Sequence, residues 1–322
     1  MATQKLLREL FVFLGRGCAT PVFHNSHMDN TKTLSPARLA SEWREFKQDP
    51  QVVLGPDSTR LAFADPEFLL RRETRGIRFE LEMLKPELEL SRQGIEHTVV
   101  VFGSARFASP EMAAERMEQA QKSADPSAIE RAARDLRNAA WYEQSRQFAR
   151  LVAGYSLQHP HSEQLYICTG GGPGIMEAAN RGASEMGAIN LGLNITLPHE
   201  QRVNPYVTPR LHFQFHYFAA RKMHFMMRAK ALVAFPGGYG TLDELFEIIT
   251  LVQTKKEKPV PIILYGSSYW KRLINFDVMI EEGAIERKDL GVLNYCDTPQ
   301  AAWEVIRDFY QLGDNEATPP VA

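Results

Sequence analysis

The chain has 322 residues, 44% of them hydrophobic and 24% charged, with a formal net charge of -2. That composition is ordinary for a globular protein with a large core, and the absence of a polybasic run excludes a nucleic-acid backbone as the main partner. The cysteines, Cys18, Cys168 and Cys296, are odd in number and widely spaced. They fit neither a disulfide framework nor a zinc site, so a reducing, cytoplasmic setting without a metal is expected.

The amino-terminal stretch faintly imitates a signal peptide, but its apolar run at 10–14 is short and is cut by Gly15, Arg16 and Gly17. No run approaches membrane-spanning length. Residues 1–96 carry mostly helical signals and read as an extension that covers the core or an interface. Asp65-Pro66-Glu67 has the form of an N-cap, a first-turn proline and a dipole-favoured acid. The Leu-, Arg- and Glu-rich stretch that follows predicts a helix to Leu84 or Leu90, broken or ended at Pro86.

From Thr98 the texture changes. Strand-length apolar runs at 98–102, 165–168, 189–195, 211–215, 231–235 and 261–265 alternate with helical stretches. The latter include 127–157, 174–186, 217–228 and 242–254. The alternation predicts an α/β fold: a Rossmann-like, doubly wound parallel sheet over residues 97–313, preceded by the helical extension. Residues 314–322, with Pro319 and Pro320, read as a disordered tail. Ligands of such sheets sit beyond the carboxyl ends of the strands, so the strand ends are where function is sought.

The first informative strand end is Phe102-Gly103-Ser104-Ala105-Arg106. Ser104 and Arg106 suit a phosphate, although an ordinary strand exit explains them too. The second is Thr169-Gly170-Gly171-Gly172-Pro173-Gly174, running into a helix. Bare amides at Gly171, Gly172 and Gly174 make an anion site. Glu177 in the following turn either stabilises the helix dipole or bonds a ribose or base. The turn is neither a P-loop nor a dinucleotide fingerprint.

The third strand end is Phe235-Pro236-Gly237-Gly238-Tyr239-Gly240-Thr241-Leu242-Asp243-Glu244. Thr241 and Glu244 have the spacing of a capping box, which by itself explains both residues. A second glycine-rich strand–helix turn in the same sheet favours a shared crevice. Upstream, on 217–228, Lys222 falls within an apolar stripe while Arg221, His224 and Arg228 lie on its flank. Such a lysine either snorkels at the core edge or faces a cleft.

An Arg221-Lys222 helix, then a strand, then PGGYGTLDE, preceded by GGGPGIMEAAN, resembles the Lonely Guy (LOG) family over roughly residues 98–284. The resemblance is to its longer bacterial branch. It implies a phosphoribohydrolase that cleaves nucleoside 5′-monophosphates, AMP or a cytokinin riboside 5′-monophosphate, to free base and ribose 5-phosphate. By position it makes Arg221 and Glu244 the catalytic pair. It places Gly238, Gly240 and Thr241 around the phosphate, and Ser104 with the turn of Gly171, Gly172 and Gly174 completes the pocket; Gly237, Arg106, Glu177 and Lys222 are the further candidates for substrate binding. It also implies a homodimer or a multiple of dimers, with the site near the interface.

The chemistry fits the pair: a carboxylate can stabilise oxocarbenium character on the ribose and activate water, and an arginine can hold substrate or keep the carboxylate ionised. No metal or cofactor is called for. The family is often labelled lysine decarboxylase, a reaction that needs an electron sink such as PLP, for which no lysine stands in an evident context. Two other readings remain: a non-catalytic nucleotide carrier or sensor of the same fold, and an NAD-dependent oxidoreductase, for which the first strand lacks the required glycine turn.

Overall fold

The computed structural model describes residues 62–197 and 203–313. The leader-like start, Cys18 and the tail 314–322 fall outside the described residues. From Pro66 the chain forms one compact unit, opening with helices α1 (Pro66–Leu70) and α2 (Arg75–Arg92). Contrary to expectation, Pro86 neither breaks nor ends α2; it lies inside the helix and is buried. A proline in a helix has no N–H for the carbonyl four residues back. That carbonyl is Glu82 O, and the His224 ring nitrogen Nε2 takes the vacant place at 3.1 Å. Tertiary contact thus supplies what the helix lacks.

The sheet comprises β1 (Thr98–Phe102), β2 (Tyr166–Thr169), β3 (Asn190–Ile195), β4 (His212–Phe215), β5 (Ala229–Ala234), β6 (Ile262–Tyr265) and β7 (Leu293–Cys296). Every neighbouring pair is parallel and the order is β4-β3-β2-β1-β5-β6-β7. The fold is therefore Rossmann-like α/β, as the alternating runs predict. Strands β1, β2, β3 and β6 are buried throughout, as expected where helices cover both faces. The sequence reading omits β7, a four-residue edge strand that is only partly buried and so lacks an apolar signature.

Between the strands run α3 (Pro110–Ser123), α4 (Pro126–Leu157), α5 (Ile175–Glu185), α6 (Phe218–Met227), α7 (Tyr239–Gln253), α8 (Ser267–Leu273), α9 (Phe276–Glu281) and α10 (Pro299–Tyr310). Alternate residues of β1 feed opposite layers. Val99 and Val101 pack with Phe148 and Val152 of α4, Ile175 and Ala179 of α5, and Ile306 of α10. Val100 and Phe102 pack with Phe225 of α6, and with Leu245 and Ile248 of α7. Leu90 brings α2 into that second layer. Among the described residues no helix is long and apolar enough to cross a membrane.

Candidate active site

The strand order reverses at β1, which has β2 on one side and β5 on the other. Connections leaving opposite sides open a crevice at the carboxyl edge there. The turns after β1, β2 and β5 meet at this point. Ser104 N–H donates to Pro236 O at 3.0 Å, and Ser104 O accepts from Ile175 N–H at 3.1 Å. Ser104 Oγ accepts the Arg106 N–H at 3.1 Å, which folds the loop on itself, while Arg106 is exposed.

The turn after β2 is heavily bonded from within. Gly171 N–H donates to Thr169 Oγ1 at 2.9 Å, and the Gly171 and Gly172 carbonyls accept from Asn204 N–H and Nδ2 at 2.9 and 3.0 Å. Asn180 Oδ1 accepts from Thr169 Oγ1 and Asn204 Nδ2, at 2.7 and 3.0 Å. Gly174 is the N-cap of α5 and offers no side chain, yet the first helical amide, Ile175, is already taken by Ser104. Glu177 accepts from the Tyr142 hydroxyl at 2.9 Å, which ties it to α4. The turn is a braced wall of the crevice, with fewer free amides than its glycines suggest.

The turn after β5 differs from expectation in a way that matters. Helix α7 begins at Tyr239 with Gly238 as N-cap and no side-chain cap bond. Thr241 and Glu244 do not form a capping box, because Gly237 and Gly238 let the helix start before them. Thr241 is buried and packs onto Gly237, where any Cβ would collide with Thr241 Oγ1. The Tyr269 hydroxyl pins the Gly237 carbonyl at 2.6 Å. Gly238, Tyr239 and Gly240 are exposed, so this uncapped helix start is open to an anion.

Arg221 and Glu244 come together. Arg221 Nη1 lies 3.0 Å from Glu244 Oε1, its Nε donates to Leu193 O at 2.7 Å, and its guanidinium lies over the Phe225 ring at 4.9 Å. It also lies against the β2 turn: a Cβ on Gly170 would fall 2.6 Å from Arg221 Nη2. Burial lifts the Glu244 carboxyl to about 7; Arg221 and Lys222 restrain the rise and Asp243 adds to it. A carboxyl that titrates near neutrality beside a fixed cation is suited to moving a proton. Lys222 is turned away from this pair, to Asp243 at 2.7 Å and Glu247 at 3.3 Å. Burial alone would lower its pKa, but the two carboxylates outweigh that and raise it.

Asn180, Asn204, Asp243 and Tyr269 were not singled out in the sequence. Asn180 gives a signal in retrospect: it is a fully buried polar residue on the apolar side of α5, within the GGGPGIMEAAN run. Asn204 and Tyr269 act from loops and helices distant in the chain and carry none. Among the described residues no cluster of His, Cys, Asp or Glu is arranged to hold a metal ion.

A family model described as "possible lysine decarboxylase" matches residues 176–306. A protein of Oryza sativa subsp. japonica named as a probable cytokinin riboside 5′-monophosphate phosphoribohydrolase is 31% identical over 99 residues, 30% of this chain and 47% of its own. A cytokinin riboside 5′-monophosphate phosphoribohydrolase of Arabidopsis thaliana is 32% identical over 100 residues, 30% of this chain and 46% of its own. A further rice protein, also named probable, is 31% identical over 144 residues, 44% and 56% of the two chains. The chain spans about half the length of these curated relatives. Among solved structures, a molybdenum cofactor binding protein of Rippkaea orientalis is 18% identical at a TM-score of 0.39, covering 66% of this chain and 95% of its own. A Moco carrier protein of Chlamydomonas reinhardtii is 17% identical at 0.40, covering 67% and 98%. Likenesses that remote bear on neither ligand nor reaction. The matched model spans the part of the chain that carries PGGYGTLDE, and over part of its length the chain is similar to phosphoribohydrolases of the LOG family.

Proposed function

We propose that the protein hydrolyses the N-glycosidic bond of nucleoside 5′-monophosphates, AMP or a cytokinin riboside 5′-monophosphate, giving free base and ribose 5-phosphate. The observation that carries this reading is the Arg221–Glu244 pair, buried beside an uncapped helix start at the sheet's switch point. The names of the relatives support the same reaction. The catalytic domain is residues 97–313, and residues 1–96 are its extension.

In this scheme the 5′-phosphate sits on the amides at the start of α7, around Gly238, Gly240 and Thr241. Gly237 shapes that turn, and the braced wall of Gly171, Gly172 and Gly174 closes the other side. Ser104 and Arg106 line the approach. As the bond from C1′ to the base nitrogen breaks, electrons move to the base and positive charge grows on the ribose. Glu244, ionised, stabilises that charge and takes a proton from the attacking water, whose oxygen bonds to C1′. The base takes up one proton on a ring nitrogen from solvent as it leaves, and Glu244 afterwards returns to solvent the proton it took from water, so the protons balance. Arg221 keeps Glu244 ionised and oriented. Lys222 and Glu177, each with a protein partner, shape the surroundings.

The protein works as a cytoplasmic homodimer or a multiple of dimers. Phe218, Met223 and Met227 of α6 are exposed, and so is Tyr239 of α7, which lines an open groove of about 540 Å³ with Leu242, Phe246 and Leu251. An exposed apolar face beside the phosphate turn supports a subunit contact near the site. The deciding experiment is product analysis after incubation with AMP. Adenine with ribose 5-phosphate is expected; intact AMP with measurable binding would make the protein a nucleotide carrier instead.

A further inference from the structure

Helix α6 carries Arg221 but begins without a local cap. Its N-cap residue is Tyr217, which makes no side-chain cap bond, and the neighbouring His216 and Phe218 offer no carboxylate or hydroxyl. Two amides at this end, those of His216 and Tyr217, are nevertheless bonded. Glu82 of α2 accepts His216 N–H on Oε1 at 2.9 Å and Tyr217 N–H on Oε2 at 3.0 Å. Tyr217 in turn accepts Arg221 N–H on its carbonyl at 3.2 Å. One residue, Tyr217, therefore links the Glu82 carboxylate to the Arg221 backbone.

The two helices exchange what each lacks. Pro86 leaves the Glu82 carbonyl without a helical donor, and His224 of α6 supplies one. The start of α6 leaves amides without helical acceptors, and the Glu82 side chain accepts from the two that lead into it, His216 and Tyr217. The contact is locked at either end. Arg78 Nε donates to the Tyr217 hydroxyl at 3.3 Å, and Glu87 holds Arg228, just past the end of α6, through two bonds of 2.6 and 2.7 Å.

We propose that Glu82 is a positioning residue for the Arg221–Glu244 pair: from the amino-terminal extension it fixes the start of α6, and with it the reach of Arg221 to Glu244. The inference rests on the proposed function for its kinetic consequence, but its structural consequence is independent of it. It gives α2 a task at the site.

The groups whose charge acts on Glu244 are Arg221, which bonds it, Asp243 of α7 and the more distant Lys222 of α6, with the Cys168 thiol of β2 within electrostatic reach. Of these, Arg221 is the main one holding its pKa down. Loosening α6 weakens that restraint, so the Glu244 pKa rises. Misplacement of a catalytic group by about 1 Å costs on the order of a hundredfold in rate.

The test compares Glu82→Ala and Glu82→Gln with Glu80→Ala, an exposed neighbour on the same helix. The expected result for Glu82→Ala is a fall in kcat for AMP of about tenfold to a hundredfold with KM changed far less. The acidic limb of its pH profile should move up by about half a unit or more. Glu82→Gln, which keeps one acceptor oxygen, should fall between it and the wild type, and Glu80→Ala should match the wild type. A substrate-free readout is the infrared titration of the Glu244 carboxyl band, identified by its loss in Glu244→Gln. An upward shift in Glu82→Ala, or in Glu82→Gln if the alanine variant does not fold, supports the positioning role even if AMP is never cleaved. An unmoved Glu244 midpoint in a folded Glu82 variant overturns it, whatever the activity.

Discussion

Glu244 Oε1 and Arg221 Nη1 stand 3.0 Å apart, with 12% and 10% of the two side chains exposed. A buried carboxylate needs a partner, and this one has a guanidinium held from two other directions by Leu193 O and the Phe225 ring. The helix start leaves Glu244 no capping duty, so its position is explained by this pairing.

Glu244→Gln should therefore lose hydrolysis of AMP by about a hundredfold to ten-thousandfold, the range for removing a general base. The fold should persist, because the glutamine carbonyl can still accept from Arg221. Adenine release and thermal melting on the same preparation check both parts. Turnover close to the wild type would remove Glu244 from the mechanism.

The acidity of Glu244 sets a pH dependence. If the ionised form is the base, kcat/KM should rise with pH through about 7 and flatten above it. Stability should show the opposite trend. The folded carboxyl holds its proton from its ordinary 4.5 up to about 7, whereas the unfolded one has released it. Folding stability is thus lost as pH rises across that window. Relative to the wild type, Glu244→Gln should gain melting temperature at pH 8 compared with pH 5. A flat activity profile from pH 5 to 8 would contradict the assignment.

Arg221→Ala should abolish activity at neutral pH and push the acidic limb upward. The flank position in the helix pattern predicts only a modest stability cost, but the side chain is buried and bonds Leu193 O, so a loss of about 1–3 kcal/mol is expected. Protonation of Glu244 limits the loss, since a neutral carboxyl needs no cation. Chemical denaturation at pH 5 and pH 8 should show the larger loss at pH 8.

The phosphate should decide recognition. AMP should be cleaved at least about a hundredfold better than adenosine in kcat/KM, from roughly two charge-assisted contacts. A ratio near one would sink the α7 start as a phosphate cradle.

Gly240→Asp tests that cradle directly. A side chain there meets nothing within 4 Å, so the fold should tolerate it. A carboxylate at a helix start is even favourable for the helix. It should repel the phosphate and raise KM for AMP at least about tenfold with the melting temperature unchanged or higher. Unchanged KM would place the phosphate elsewhere.

The sequence by itself determined the fold class and the location of the crevice. Parallel strands buried on both faces must read as continuous apolar runs, so β1 at 98–102 is legible residue for residue. Glycine-rich turns directly after such runs mark strand ends, and Arg221 and Glu244 stood out through the motif that contains them. Only the tertiary structure decided what those residues do to each other. The start of α7 is set by Gly237, where a Cβ would collide with Thr241, and by Gly238, an N-cap without a side chain, and this overrode the spacing of Thr241 and Glu244. The bracing of the β2 turn depends on Asn204, more than thirty residues away. Pro86 reads locally as a helix breaker, yet α2 runs through it because His224, far along the chain, satisfies the carbonyl it orphans. Local periodicity records which face is buried; it holds no record of which distant polar group completes a bond, and the site is made of such bonds.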